Sequence, residues 1–433
     1  MSDLEAATSR RRFVGLCAGL LGGAATSTAG IATTRPEDDP TELPAPIRAL
    51  VPLPGQAVAI ADGERQARLE QARRLMAEHH LNAVLVEPGS SFSYFLGVTW
   101  ELSERPFLAV LPKKGELAFV CPGFEEARAR ELVGGTRDVR VWQEDESPYA
   151  RVAEILRDRG VGGGRIGIEE RLRFFIHDGV QREAPSATLV SAAPVTTGCR
   201  SLKSPAELAL MQRASDITMA VFRAAFATLR EGMTQHDLER YVLNAFARLG
   251  GVNAWALAGF GASSAFPHGS VQPQRLREGD IVLLDIGCEV GGYQSDVTKT
   301  TVFGRPTPRQ IEIWSLERRA QDAAFAAARV GASCESVDAA ARRVITAAGL
   351  GPDYRLPGLP HRTGHGIGLD GHEAPNFVRG EKTLLRPGMC FSDEPMIAIY
   401  GEFGIRLEDC LYITESGPRF FTPQSEAIDR PLP

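Results

Sequence analysis

The sequence predicts an α+β protein in two globular units behind an N-terminal leader, and three observations lead there. At 433 residues the chain is well beyond the usual ~150 residues of one domain. Residues 62–198 alternate short apolar runs with helical spacing, whereas residues 199–433 combine long capped helices with strand pairs that turn at glycines. A composition of 43% hydrophobic and 24% charged residues is that of a folded globular chain, which excludes a disordered or polytopic membrane protein. The net charge of −6 offers no positive field for a phosphate backbone, so nucleic acid is excluded as the expected partner.

Residues 1–32 read as an export signal. Arg10-Arg11-Arg12-Phe13-Val14 leads into a short apolar stretch of small residues ending near Ala25, and Ser27-Thr28-Ala29 offers a cleavage site. The arginine pair resembles a twin-arginine signal, which implies a periplasmic or secreted protein. The stretch is too short to persist as a spanning helix, so no stable membrane insertion is expected after its removal. Residues 33–61 carry many Pro, Asp and Glu residues and read as an extended tether.

The first unit spans 62–198. Leu69, Ala72, Leu75 and Met76 recur at helical spacing within 65–80, and 82–86 follows as a buried strand. Strand-like runs at 107–111 and 117–121, a helix at 125–132, and a helix end at 155–160 before a strand at 166–168 continue the alternation. The second unit spans 199–433. Ser204-Pro205-Ala206-Glu207 is a capping box with proline at the first helical position. Its helix carries Leu208, Met211, Val221, Phe222 and Leu229 and stops at Gly232. Thr234 and Asp237 open another helix that ends at Gly250-Gly251, and Thr307-Pro308-Arg309-Gln310 opens a third that reaches about Gly331. Seven cysteines include no CxxC pair, and Cys288, Cys390 and Cys410 lie in apolar runs, so structural free thiols are expected.

The chemistry concentrates in the second unit. A hairpin turning near Val290-Gly291 would set Asp285 opposite Asp296, with Cβ atoms about 5 Å apart. Two apposed carboxylates repel unless a cation lies between them. Glu394 and Glu408 flank a turn-rich stretch around Tyr400-Gly401 and form a second such pair. His365, in Gly364-His365-Gly366, adds an imidazole on a backbone without side-chain bulk, which allows close approach of a ligand. Taken singly, acids beside glycines are usually solvated turn residues, and His268, His361 and His372 could be loop or surface residues. Together, four carboxylates and one imidazole form a hard ligand set suited to two Mn²⁺ or Co²⁺ ions, and hydrolysis is their natural chemistry.

Pro267-His268-Gly269, Asp285 and Asp296 eleven apart, His361 four before His365, His372 seven after it, Glu394-Pro395 and Arg406-x-Glu408 resemble the dimetal aminopeptidase family of pita-bread fold. The resemblance is closest to its Xaa-Pro dipeptidase (prolidase) and aminopeptidase P branches. Ser93-Tyr94-Phe95-Leu96-Gly97 and Arg105-Pro106 resemble that family's creatinase-type N-terminal domain. The resemblance implies two divalent metal ions, manganese first and cobalt or zinc as alternatives, held by Asp285, Asp296, His365, Glu394 and Glu408. It implies that Asp296 and Glu408 bridge the ions, that a bridging hydroxide is the nucleophile, and that Glu394 also handles the proton. His361 would hydrogen-bond the tetrahedral intermediate or the peptide carbonyl, His268 and His372 would line the substrate site, and Arg406 would orient ligands or meet a substrate carboxylate. The implied substrates are Xaa-Pro dipeptides or short peptides, and the implied assembly is a homodimer. An aminopeptidase of different specificity and a non-catalytic binding protein on the same fold are the alternatives. In one respect the chain departs from the family: the tyrosine usual four residues after the first glutamate is Ala398, with Tyr400 as its only neighbour of that type.

Overall fold

The inner strands of the first unit are apolar and buried on both faces, and the edge strands at 138–142 and 188–191 carry polar residues toward water. The computed structural model describes residues 42–55 and 57–433. It places β1 (Ala83–Val86), β2 (Leu108–Pro112), β3 (Ala118–Pro122), β4 (Asp138–Trp142), β5 (Arg165–Ile168) and β6 (Thr188–Ser191) in one sheet, ordered β4-β3-β2-β1-β5-β6. β2 is antiparallel to β1 and β3, and the outer pairings are parallel. Because side chains alternate between faces, Val84, Val86, Ala109 and Phe119 enter a core with helices Asp62–Glu78, Ser90–Leu96 and Ala193–Arg200. Ala83, Leu85, Leu108 and Val120 enter the opposite core, against helices Pro148–Asp158 and Phe174–Glu183.

Helix Pro205–Phe226 opens the second unit with the expected capping box: Ser204 Oγ accepts from the Glu207 amide at 3.2 Å, and the Glu207 carboxylate accepts from the Ser204 amide at 2.8 Å. Thr234 and Asp237 cap helix Gln235–Leu249 in the same way. Next come β7 (Val252–Phe260), β8 (Ile281–Val290), β9 (Tyr293–Gln294) and β10 (Val297–Val302), with β8 central between β10 and β7. A second sheet holds β11 (Gly364–Gly366), β12 (Glu373–Phe377), β13 (Cys390–Asp393), β16 (Asp409–Thr414) and β17 (Gly417–Phe420) in the order β12-β11-β13-β16-β17. β14 (Met396–Ile399) and β15 (Phe403–Arg406) form the hairpin that joins β13 to β16. Along β8, Val282, Leu284 and Ile286 pack on the first two helices, while Ile281 and Leu283 share a core with helices Pro308–Ala327 and Cys334–Ala347. The antiparallel sheets are thus sandwiched between helix pairs. The fold class read from the sequence, α+β with an α/β first unit, is the observed one.

Several expectations need correction. The leader expected at 1–32 lies outside the described residues. The tether expected over 33–61 does not hold in its described part: Ile47 is fully buried in the second unit's core, with Leu43, Leu50 and Leu53 packed beside it. Arg213 donates to the carbonyls of Leu53 and Pro54 at 2.7 and 2.8 Å. Those four apolar residues at near-helical spacing outweigh the proline-rich composition around them. Helix Ala193–Arg200 carries Cys199 into the first core, so the junction falls a few residues beyond the expected 198/199. The helix expected to reach Gly331 ends at Ala327, and helix Cys334–Ala347 was not expected. All six described cysteines are free and buried. Among the described residues no helix is long and apolar enough to cross a membrane.

Candidate metal centre

The β8–β9 hairpin turns at Gly291-Gly292, where both residues have positive φ (58° and 85°), as a two-residue turn of that hand requires. That is one residue later than expected. In consequence Asp285 faces Thr298, and Asp296 lies diagonally across from Asp285 rather than opposite it. Both carboxylates stay on the same face of the sheet, because the shift displaces the register by an even number of residues. The second acid pair is set by a ladder that runs through two hairpin segments. Asp393 pairs with Asp409 and Met396 with Arg406, and the same register sets Glu394 opposite Glu408. The bridge between Thr298 and Glu408 then sews the two sheets together at the site.

His365 approaches from β11. Its Nε2 is 3.2 Å from Glu394 Oε1 and 3.6 Å from Asp296 Oδ2. Its flanking glycines serve strand packing and not ligand approach: a Cβ on Gly364 would sit 2.0 Å from the Ser392 carbonyl oxygen. Three overlapping groups, Asp285/Asp296/Glu408, His365/Glu394/Glu408 and Asp296/His365/His372, each bring one donor atom per residue within 4.8 Å of the others.

Electrostatics set these acids apart from surface carboxylates. Burial, reinforced by the neighbouring acids, raises Asp296 and Glu408 well above the ordinary carboxylate range. Burial pushes Glu394 up to about 7 against the pull of Arg406. Among the described residues, the guanidinium bonded to these acids is Arg406, 3% exposed, which pairs with Asp285, donates to Thr298 Oγ1 at 2.9 Å and to the Pro267 carbonyl at 2.9 Å. Arg406 is therefore engaged by Asp285, Thr298 and the Pro267 carbonyl and is not free to meet a substrate carboxylate. Thr298, which the sequence reading missed, donates from Oγ1 to Glu408 Oε2 at 2.6 Å. Four carboxylates against one guanidinium, with Asp285 Oδ1 buried and lacking any hydrogen-bond partner, fit a pair of divalent cations.

The histidines offer different atoms to the cavity. His361 Nδ1 lies 2.7 Å from the Arg362 carbonyl, which can only accept, so Nδ1 carries the hydrogen and Nε2 presents a lone pair. That Nε2 is buried without a partner, and burial lowers the ring to about 3, so it is neutral. His365 Nδ1 is likewise tied to the Gly366 carbonyl at 3.1 Å, leaving the Nε2 lone pair facing Glu394 and Asp296. His372 is reversed: its Nδ1 is 3.0 Å from an Arg362 nitrogen, which can only donate, so Nε2 carries the hydrogen. The expectation that His361 donates to an oxyanion is thus corrected. In this arrangement His361 accepts, and His372 is the donor.

These groups line a cavity of about 730 Å³ that also takes in His268, Trp255, Leu257 and Arg362. Trp255 and Arg362 carried no local signal in the sequence, since their roles depend on partners far along the chain. Neither residue considered for the tyrosine position serves the site. Ala398 is fully buried in β14, and Tyr400, 53% exposed, packs against Phe266 with its ring tilted and centroids 5.0 Å apart.

Comparison with known proteins agrees with this geometry. Residues 209–415 match metallopeptidase family M24, and residues 68–202 match the creatinase/prolidase N-terminal domain. A probable dipeptidase, PepE, of Mycobacterium tuberculosis is 35% identical over 81% of this chain and 92% of its own. An Xaa-Pro dipeptidase of Lactobacillus helveticus is 30% identical over 82% of this chain and 96% of its own. The crystal structure of dipeptidase PepE from Mycobacterium ulcerans superposes with a TM-score of 0.80 at 31% identity, covering 86% of this chain and 99% of that one.

Proposed function

The chain belongs to metallopeptidase family M24, and from that premise we propose that it hydrolyses the bond between an N-terminal residue and proline, with Xaa-Pro dipeptides as its substrates. The observation that carries the reading is the convergence of Asp285, Asp296, His365, Glu394 and Glu408 on one cavity walled by three further histidines. These five residues would hold two divalent ions, and manganese is our assignment. When bound there, the ions supply a water activated near neutral pH and stabilise charge on the scissile carbonyl.

The chain's own residues do the rest. Glu394, whose Oε1 faces His365 Nε2 at 3.2 Å in the same cavity, is the carboxylate we assign to take up and return a proton. The His372 Nε2–H is the donor to charge developing on the peptide carbonyl, and His361 Nε2 is an acceptor for the substrate's N–H groups. His268 lines the same cavity. A prolyl nitrogen has no N–H to pair with a strand, and Trp255 and Leu257 offer apolar contact to its ring instead.

The test is a panel of Ala-Pro, Gly-Pro, Ala-Pro-Ala and Ala-Ala offered to the manganese-loaded protein. Cleavage of the Xaa-Pro dipeptides is expected, and preference for the tripeptide would move the assignment toward an aminopeptidase P. No cleavage of any prolyl peptide would refute the reading. We further propose export by the arginine pair in residues 1–32. Replacing Arg10 and Arg11 by Lys in a reporter fusion should abolish export, and unchanged export would end the idea. Pairing as a homodimer is proposed from the family resemblance, and a one-chain mass in light scattering would reject it.

A further inference from the structure

The donor histidine sits on a loop held from outside its own domain. His372 lies between β11 and β12, and its neighbours Asp370 and Glu373 turn toward residues of the first unit. Asp370 accepts from Ser90 Oγ at 2.5 Å and from Arg171 at 2.6 Å, and it is paired with Arg200. Glu373 is paired with the same Arg200 and accepts from Lys203 at 3.0 Å. Arg171 also donates to the backbone carbonyl of His372 at 3.3 Å. Within the loop, the Asp370 amide donates to Glu373 Oε1 at 3.1 Å, so the two acids are locked to one another as well.

Apart from Arg171, the side chains of this network are mostly buried. Side-chain exposures are 11% for Arg200, 13% for Asp370, 6% for Glu373 and 2% for Lys203. It lies in the wall between two cavities. His372 lines the 730 Å³ cavity of the metal centre and also a second one of about 210 Å³, which Glu169, Arg171, Thr197, Arg200 and Asp370 help to line. The loop itself is short, and its turn residues Gly368 and Gly371 supply no side-chain packing. Leu369 packs on both cores, the Gln294 amide donates to the Gly368 carbonyl and Arg362 meets the His372 ring at 3.0 Å. The ion pairs supplied by the first unit add to this hold on the segment that carries His372, whose ring lies 3.9 Å from that of His365 between centroids.

We propose that Arg200, acting through Asp370 and Glu373, is a positioning residue that sets His372 for catalysis, so that the creatinase-type unit is part of the active-site machinery without touching the metals. The inference rests on the peptidase reading for its kinetic consequence but not for its structural one. Two measurements on the full, manganese-loaded chain separate these. First, hydrogen exchange of residues 367–377 should quicken in Arg200→Gln relative to wild type while exchange in 281–290 is unchanged. Second, kcat/KM on Ala-Pro should fall about tenfold or more, as expected when a catalytic group is misplaced by a fraction of an ångström to an ångström. Arg200→Lys, which keeps one charge on both acids, should recover much of that fall. In a His372→Ala background, Arg200→Gln should change kcat/KM by less than about twofold, because the group it positions is gone. Arg171→Gln, at a 62% exposed side chain, provides a milder variant whose folding is not at risk and should show the same pattern at smaller amplitude.

An equal fall in both backgrounds, or a loop whose exchange does not respond, would overturn the proposal and leave the network as interdomain glue. If wild type cleaves no prolyl peptide, the functional reading alone fails, and the exchange measurement still decides this one.

Discussion

Replacing Glu394 by Gln tests whether the site is an acid cluster held together against its own charge. Burial raises the Glu394 carboxyl from 4.5 to about 7 in the folded chain. Between those two pH values the folded state binds the proton more tightly than the unfolded state does, so wild-type stability falls as pH rises through that window. At about 1.4 kcal/mol per pH unit, the loss is on the order of 3 kcal/mol by pH 7 and is constant above it. The amide that replaces the carboxyl does not titrate. In the presence of a chelator, the variant should therefore gain on wild type by that amount between pH 4.5 and 7. His361, His365 and His372, all held below the usual histidine value, titrate in both proteins and largely cancel in the difference.

Urea unfolding of both proteins in excess chelator at pH 5 and pH 8 measures the gap. Adding manganese at pH 8 should reverse the order, because wild type then gains RT ln(1 + [L]/Kd) from a site the variant has impaired. A stability gap that is the same at both pH values would refute the reasoning, since it would mean that Glu394 ionises in the folded chain as easily as in the unfolded one.

Two further substitutions probe what surrounds the acids. Thr298→Val keeps shape but removes the hydroxyl that donates to Glu408 and accepts from Arg406, and metal affinity should fall by about ten- to a hundredfold; metal content after dialysis at limiting manganese reads this, and full retention would exclude an orienting role. Lys299→Met leaves Asp409 uncompensated at a site where both partners are about as buried as the core, with exposures of 1% and 2%. The cost should be about 3–5 kcal/mol, and an unshifted urea midpoint would show that the pair carries no net stability.

The two acid pairs were legible because their placement is local. Asp285 with Asp296 and Glu394 with Glu408 each lie at the ends of one turn-containing segment, so a hairpin reading brings them together before any long-range contact is known. The register was not legible to one residue, because two glycines compete with Val290-Gly291 for the turn and only the requirement for positive φ at both positions decides it. Residues that act across the chain left no local trace. Arg200 and Asp370 are 170 positions apart, and Ser90 and Asp370 are 280 apart. Arg362 follows His361 directly, yet nothing local marks it, because what gives it a place in the site is His372 and Asn376 beside its guanidinium. Composition misled at 43–53 for the opposite reason: a window average dominated by Pro and acid hides four apolar residues that bury together.

Arg406 shows why the acids and the metal set must be considered as one system. It is fixed on three sides, and it remains charged despite burial because Asp285 and Glu408 hold it so. It compensates one carboxylate, which leaves three at the same buried locus. In the metal-free chain the remaining charge is relieved by protons, as the raised values of Asp296, Glu394 and Glu408 require. A dication entering the site must displace those protons, so its affinity increases with pH up to about 7 at Glu394, and the raised Asp296 and Glu408 act in the same direction. One burial thus has two consequences: it lowers the stability of the metal-free cluster, and it makes metal entry depend on pH.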